Sequence, residues 1–434
     1  MLEKNSFIKK SLSIDALFLF IFTVTTLYYL FETLPLTKMS FFWFFSLTLL
    51  FVYFLIDIKE KVNNKNLYKV IIIIAFAILL NFLPLINNIF LRSKIGPFAF
   101  THDAALQMEE GVKFLLQGKN PYKEDYSSSL GVLWGGELVT SLGISIPNPA
   151  INHFVQLPWH IIFSVPFYFF CNLFFYWYDQ RIIYILCYIA SLFIIYSIPS
   201  KKQNKLLFLI FFSINPLFIP CFVGGTNDIF VFFWVLLSLF LLKQRKTRIS
   251  SLILALAVLS KHSAWPLVPF YFFYIWFQRG KESFIPKIKN IFIKTYPFWV
   301  TNILLFGIFL IWDCRSFVED IFLYLSGSLP TSFPIGGFGL SILLLAGQVI
   351  QNHRDYFPFW IPELLIGFPL LIFLIKIQQK RNTLSQVIVN YGLLLFAFWF
   401  CSRFFHSNYI AYLSLVFITA YFFDDQEKID ENIC

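Results

Sequence analysis

Between Val70 and Leu91 the chain carries no charged side chain. A helix rising about 1.5 Å per residue over such a run covers the roughly 30 Å hydrocarbon core of a bilayer. Runs of the same kind return almost to the C-terminus. The 434 residues are 58% hydrophobic and only 13% charged, more apolar surface than a soluble domain of that length needs. One helical bundle can absorb the whole chain. The fold expected is therefore all-α: a single polytopic membrane domain over 1–434, integral to a cell inner or plasma membrane.

The expected spans are 11–31, 40–57, 69–91, 181–198, 206–222, 228–242, 249–260, 264–277, 292–312, 358–376, 385–402 and 406–423, about 12 in all. Charge sets their direction, because cytoplasmic loops collect Lys and Arg. With the N-terminus inside, about 22 of the 34 basic residues fall in inner loops, among them Lys4, Lys9, Lys10, Arg279 and Lys281. The net charge of +10 is then a topology signal and not a mark of nucleic-acid binding. No small-residue cleavage site follows the N-terminal lysines, so 11–31 is expected to stay as the first helix. The six cysteines show no C-x-x-C spacing and give neither a disulfide nor a zinc framework.

Two apolar segments are expected to lie on the outer surface instead of crossing. If 152–178 spanned, Lys201, Lys202 and Lys205 would move outside; Pro158 and Pro166 should also break it into short pieces. If 338–351 spanned, Lys376, Lys380 and Arg381 would move outside. The long outer loops, 92–180 and 313–357, are thus expected to fold as short juxtamembrane helices. The pair 249–260 and 264–277 should be two short helices, with Ser260-Lys261-His262-Ser263 at a break facing protein or a wet cavity.

This topology collects the unusual polar residues on one side. Asp103 heads the first long outer loop. Gly224-Gly225-Thr226-Asn227-Asp228, Lys261-His262 and Arg403 to His406 follow. Ionisable groups at a membrane are expensive and mark sites or pathways. Asp103 is also a natural helix N-cap for the segment from Ala104, and the two roles are compatible: backbone N–H donors keep a carboxylate ionised, as a base must be. Asp228 reads equally as a cap or as a ligand for a sugar hydroxyl or cation. Glu109 and Glu110 read as the solvated face of the same helix. Gly118 fits its C-terminus, and Asn120-Pro121 the turn beyond. Lys119, Lys123 and Arg315 fit snorkelling cations or anion contacts. No Asp-x-Asp pair or His/Cys cluster supports a tightly held metal, so no metal ligands are assigned. A divalent cation is not excluded.

In order and sidedness these motifs resemble the GT-C superfamily of integral-membrane glycosyltransferases, with the polyprenyl-phosphate-mannose enzymes most similar. The likeness rests on Asp103, on Leu115-Leu116-Gln117-Gly118-Lys119-Asn120-Pro121-Tyr122, and on the Pro-rich segment Leu157-Pro158-Trp159 to Pro166. Arg181 then opens the next span, followed by Gly225-Thr226-Asn227-Asp228 and Leu259-Ser260-Lys261. It covers residues 69–280. Where many members carry paired acids, this chain has His102-Asp103. The resemblance implies a polyprenyl-phosphate sugar donor drawn from the membrane lipids and a lipid or glycan acceptor on the extracytoplasmic face. It implies that Asp103 is the catalytic base of an inverting transfer. His102, Asn120, Tyr122, Asp228, Lys261, His262, Arg403 and His406 would bind substrate, with Lys261, Arg403 and His406 facing the leaving phosphate. No cofactor is implied.

Two other classes compete. A lipid-saccharide transporter would also need many spans, but would favour internal repeats and midplane polar sites, which the chain lacks. An oligosaccharide ligase or polymerase would carry its chemistry in a late loop, for which 313–356 is long enough.

Overall fold

The computed structural model describes residues 12–31, 36–96, 99–133, 137–139, 143, 145–278 and 283–431. Lys4, Lys9, Lys10, Arg279 and Lys281, which entered the charge count, lie outside them. The chain is 76% helical with almost no strand. Six described helices are long and apolar enough to cross a membrane, and a bent pair makes a seventh. Further expected spans fall on shorter apolar helices, including Ile14–Tyr28, Arg181–Ser197, Thr247–Val258 and Ser407–Phe423, so length and composition alone do not establish about 12.

The first helices are α1 (Ile14–Phe31), α2 (Leu36–Ile58) and α3 (Lys65–Ile95). Their shared end is fastened by Lys69, whose Nζ lies 2.6 Å from both Asp15 Oδ2 and Asp57 Oδ1. Tyr53 donates to the same Asp15 oxygen at 2.6 Å. Large apolar side chains such as Phe44, Phe51 and Ile95 face outward from these helices. A soluble surface does not carry such a band; a lipid-facing one does.

After α3 the chain folds first into short pieces. α4 (Asp103–Leu116) ends before Gly118, whose φ of +76° suits glycine. Asn120 then caps a single turn at Pro121–Lys123 by accepting from the Tyr122 N–H at 3.1 Å. A small antiparallel pairing, β1 (Glu137–Val139) with β2 (Ser145–Pro147), was not expected.

α5 (Pro158–Phe175) corrects one expectation. Pro158 occupies its first turn and Pro166 lies inside it without breaking it. A first-turn proline displaces no helical hydrogen bond, and an interior one in an apolar helix removes one bond without ending it. By length and composition α5 qualifies as a membrane span. Its start is pinned where the Trp159 N–H donates to the Leu259 carbonyl at 2.9 Å, while Phe174, Phe175 and Tyr176 at its far end are exposed.

Next come α6 (Arg181–Ser197), α7 (Lys202–Ser213), α8 (Phe218–Gly224), α9 (Asp228–Lys243) and α10 (Thr247–Val258). α7 and α8 meet at a 52° bend, so the expected span 206–222 is a broken one. α9 packs against α6 and α10 and is the most enclosed helix of the core. The expected break holds: after α10 the chain makes one turn at His262–Ala264 and restarts as α11 (Leu267–Phe277).

α12 (Phe284–Ser326) runs past its expected end at 312. Asp313 is extended there (φ −158°, ψ 94°). Its carboxylate accepts from the Ser316 N–H and hydroxyl, both at 3.1 Å, which caps a fresh helical stretch. The long loop expected from 313 therefore begins after Ser326. It holds only α13 (Leu340–Ala346), far too short to cross, as expected for 338–351. α14 (Trp360–Lys380), α15 (Leu384–Cys401) and α16 (Ser407–Glu431) close the bundle. Between α15 and α16, Phe404–Phe405 pairs in parallel with Gly336–Gly337. A Cβ on Gly337 would lie 2.0 Å from the Phe405 carbonyl oxygen, so only glycine admits this approach.

Candidate active site

Four segments converge at one end of the bundle: the start of α4, the start of α9, the α10–α11 break and the α15–α16 loop. The cap of α4 is His102 and not Asp103, which takes the first helical position. His102 Nδ1 lies 2.7 Å from Asp103 Oδ1 and 3.2 Å from the Ala104 N–H. One nitrogen cannot donate to the first and accept from the second. The shorter, charge-assisted contact is the stronger, so the proton sits on Nδ1 and points at the carboxylate. Burial works against both charges, but each partner more than offsets it: the Asp103 pKa is lowered and that of His102 raised. The His102 side chain is 43% exposed and that of Asp103 30%, so both remain accessible.

Asp228 opens α9 almost wholly buried. It is no side-chain cap; Lys261 Nζ donates to its Oδ1 at 2.6 Å and Asn408 donates to its Oδ2 at 3.0 Å. Lys261 also donates to Asn227 Oδ1 at 2.8 Å. The cation at the α10–α11 break is thereby aimed between α9 and the start of α16. Beside it, burial and the Lys261 charge push His262 down to about 4, so its ring is neutral, and its Nε2 is buried without a hydrogen-bond partner among the described residues.

Arg403 is 2% exposed, yet its partners are three carbonyl oxygens: Phe333 at 2.5 Å, Asp355 at 2.8 Å and His353 at 3.1 Å. Among the described residues no carboxylate pairs with it. Burial pulls its pKa down to about 10. Gly327 (φ +88°) makes room, since a Cβ there would meet Arg403 Nη1 at 2.5 Å. A buried guanidinium whose hydrogen bonds go to neutral oxygens is costly, and the Asp355 charge, which acts on it without pairing, offsets that only in part.

Lys261, His262 and Arg403 share a cavity of about 610 Å³. Its remaining wall is mostly apolar and aromatic, including Trp265, Phe322, Phe359, Trp360 and Trp399. Asn227, Gln156, Tyr409 and the acidic Glu363 of α14 add polar edges. Asp103, His102 and His406 are not in this wall. They stand beyond the Lys261–Asp228 pair, close enough that Asp228 and Lys261 act on His102 and His406 acts on Asp103. Burial lowers the His406 pKa, with the Asp103 charge partly opposing it, and its Nε2 is buried without a hydrogen-bond partner among the described residues.

Asn120 and Tyr122 are elsewhere. Both are buried, and Tyr122 packs edge-on against Phe154, Phe309 and Phe317 while donating to the Gln156 carbonyl at 2.7 Å. Their contact with the cavity is indirect, through Gln156, whose Oε1 accepts from Asn227 at 2.7 Å. Lys119, Lys123 and Arg315 pair on the surface with Glu124, Asp313 and Glu319. The sequence reading missed Gln156 as a member of the site. Asn408 and Tyr409 carried a signal, as polar groups that converge with Arg403 and His406 at a helix start. It also misread Glu109, which is 4% exposed and points into the protein, not to solvent.

No family model, curated protein or solved structure matches this chain.

Proposed function

We propose that the chain is an inverting membrane glycosyltransferase of the GT-C kind, moving a sugar from a polyprenyl-phosphate donor to a hydroxyl acceptor. The observation that carries the reading is the cavity whose apolar, aromatic wall ends at Lys261, His262 and the carboxylate-free Arg403. A lipid phosphate matches it at both ends. The isoprenoid lies along the wall, and the phosphate supplies the anion that Arg403 lacks.

The chemistry follows from the charges. The acceptor oxygen forms a bond to the anomeric carbon while its proton passes to Asp103. The bond from that carbon to the phosphate oxygen breaks, and the electron pair leaves with the phosphate. One displacement inverts the configuration. Negative charge grows on the phosphate during the step, and fixed cations at Lys261 and Arg403 stabilise that growth more than the ground state. Neutral His262 and His406 offer N–H donors without adding charge. Asp228 holds Lys261 in place.

The His102–Asp103 contact favours one variant of this reading. Asp103 orients His102, and the exposed far nitrogen of the ring takes the acceptor proton, as in other Asp–His pairs. The two versions differ in which substitution abolishes transfer.

The topology proposed with this function keeps α5 at the outer surface, with both termini cytoplasmic, about 12 spans and an extracytoplasmic active site in an inner or plasma membrane. Cysteine labelling at Asn64, Tyr126 and Gln203 tests it: Tyr126 should label from outside, and Asn64 and Gln203 from inside. The functional test is turnover of polyprenyl-phosphate [14C]mannose by the protein in nanodiscs with a membrane glycolipid extract as acceptor. Release of polyprenyl phosphate with label in the extract supports transfer. Binding without turnover at any acceptor supplied leaves a lipid carrier and overturns the enzyme reading.

A further inference from the structure

Four charged side chains lie buried behind the loop that carries Asp103. They are Arg92 near the end of α3, Glu109 in α4, Asp179 in the loop before α6, and Arg181 at the first position of α6; none is more than 4% exposed. Arg92 binds Glu109 through two parallel bonds of 2.8 and 2.6 Å and reaches Asp179 at 2.7 Å. Arg181 grips Asp179 in the same forked manner, at 2.9 and 2.8 Å. Two cations and two anions cancel, as a buried network requires.

One bond ties this network to the loop ahead of Asp103. Arg181 Nη1 donates to the carbonyl oxygen of Phe100 at 2.7 Å. Phe100 has φ +55°, a conformation a bulky residue adopts only when its surroundings hold it there. On the other side of the loop the His102 N–H donates to the Gly224 carbonyl at 2.9 Å. Gly225 (φ +99°) lies under the Arg181 stem: a Cβ there would come within 2.9 Å of Arg181 Cδ. The segment 100–102 is thus fixed at both ends, and the next residue is Asp103.

We propose that Arg181 is a positioning residue for Asp103. Its forked guanidinium holds Asp179 and the Phe100 carbonyl together. That fixes the strained loop and with it the direction of the Asp103 carboxylate. The proposal rests on the reading of Asp103 as the base or as the partner of the base. Lysine at 181 keeps the charge and much of the stem but has no planar fork, so it cannot serve both partners at once.

The test uses the full-length protein in nanodiscs, with polyprenyl-phosphate mannose as the probe. Arg181→Lys should lower kcat about 100-fold, the cost of misplacing a reacting group by about 1 Å, and leave KM for the donor unchanged. In an Asp103→Asn background the same substitution should cost less than about twofold, because the group it positions is already gone. Hydrogen exchange should quicken over residues 99–106 and stay unchanged over α6 and α9. If Arg181→Lys does not fold, Gly225→Ala decides. It leaves all four charges, presses on the Arg181 stem, and should give the same pattern. A wild-type rate in the folded variant, an undiminished loss in the Asp103→Asn background, or exchange quickened throughout the bundle overturns the proposal. If the wild-type protein never turns over the probe, the transferase reading fails, and the exchange result alone decides whether Arg181 holds the loop.

Discussion

Replacing Lys261 with methionine separates two roles of that cation. Its Nζ donates to Asp228 at 2.6 Å and to Asn227 at 2.8 Å, and Asp228 is 1% exposed. Removing one member of a buried pair strands the other charge and costs about 3–5 kcal/mol. The Lys261 side chain is 20% exposed, so solvent screening brings the expected loss down to about 2–3 kcal/mol. In Lys261→Met/Asp228→Asn both charges are gone, and the asparagine still meets Asn408. That variant should recover all but about 1 kcal/mol. Turnover should not recover with it. Both variants lack the cation facing the leaving phosphate, so both should lose about 10²–10³ in kcat. Thermal melts in one detergent, read beside release of polyprenyl phosphate, separate the two effects. A double variant that turns over near the wild-type rate refutes the phosphate role. A double variant as unstable as the single one refutes the pairing.

Lys69→Met should destabilise the protein by about 3–5 kcal/mol, because it strands Asp15 and Asp57 together at the shared end of α1, α2 and α3; an unchanged melt would count against that cluster. The His102–Asp103 pair sets a pH dependence. Asp103, lowered from 3.8, contributes stability that is present above that value and lost as pH falls through its folded pKa; His102, raised from 6.5, contributes stability that is present below that value and lost as pH rises through its own. The pair is therefore intact between those limits, and transfer should rise on the alkaline side of 6.5 as His102 loses its charge and its far ring nitrogen becomes able to accept a proton. The pH–rate profile of His102→Gln should lack that rise, and an identical profile would rule out the pair as its source.

The helical bundle was legible because charge-free runs such as 70–91 leave the backbone no alternative in lipid. The α10–α11 break was legible for a related reason: a continuous helix there would overshoot the bilayer. The α12 kink was not, because Asp313 capping Ser316 looks in sequence like an ordinary polar loop. Pro166 misled the reading of α5, since an interior proline removes one hydrogen bond without ending the helix. Polar side chains were legible as a set but not by role. Lys261 and Asp228 are far apart in sequence, and their pairing follows from α9 meeting the α10–α11 break, which no local pattern records. The same holds for Glu109, whose partners arrive from α3 and from the loop before α6. Asn120 announced its turn through its own spacing, but the burial of Tyr122 among Phe154, Phe309 and Phe317 depends on α12 crossing over it.

The central claim is that a carboxylate at position 103 takes part in moving the acceptor proton. Asp103→Asn tests it most directly, because asparagine keeps the shape and cannot act as a base. The measurement is single-turnover release of polyprenyl phosphate from polyprenyl-phosphate mannose, with donor binding determined on the same nanodisc sample. Donor binding should be unchanged and the rate lower by about 10²–10⁴. A folded Asp103→Asn protein that binds the donor and transfers at the wild-type rate would contradict the claim.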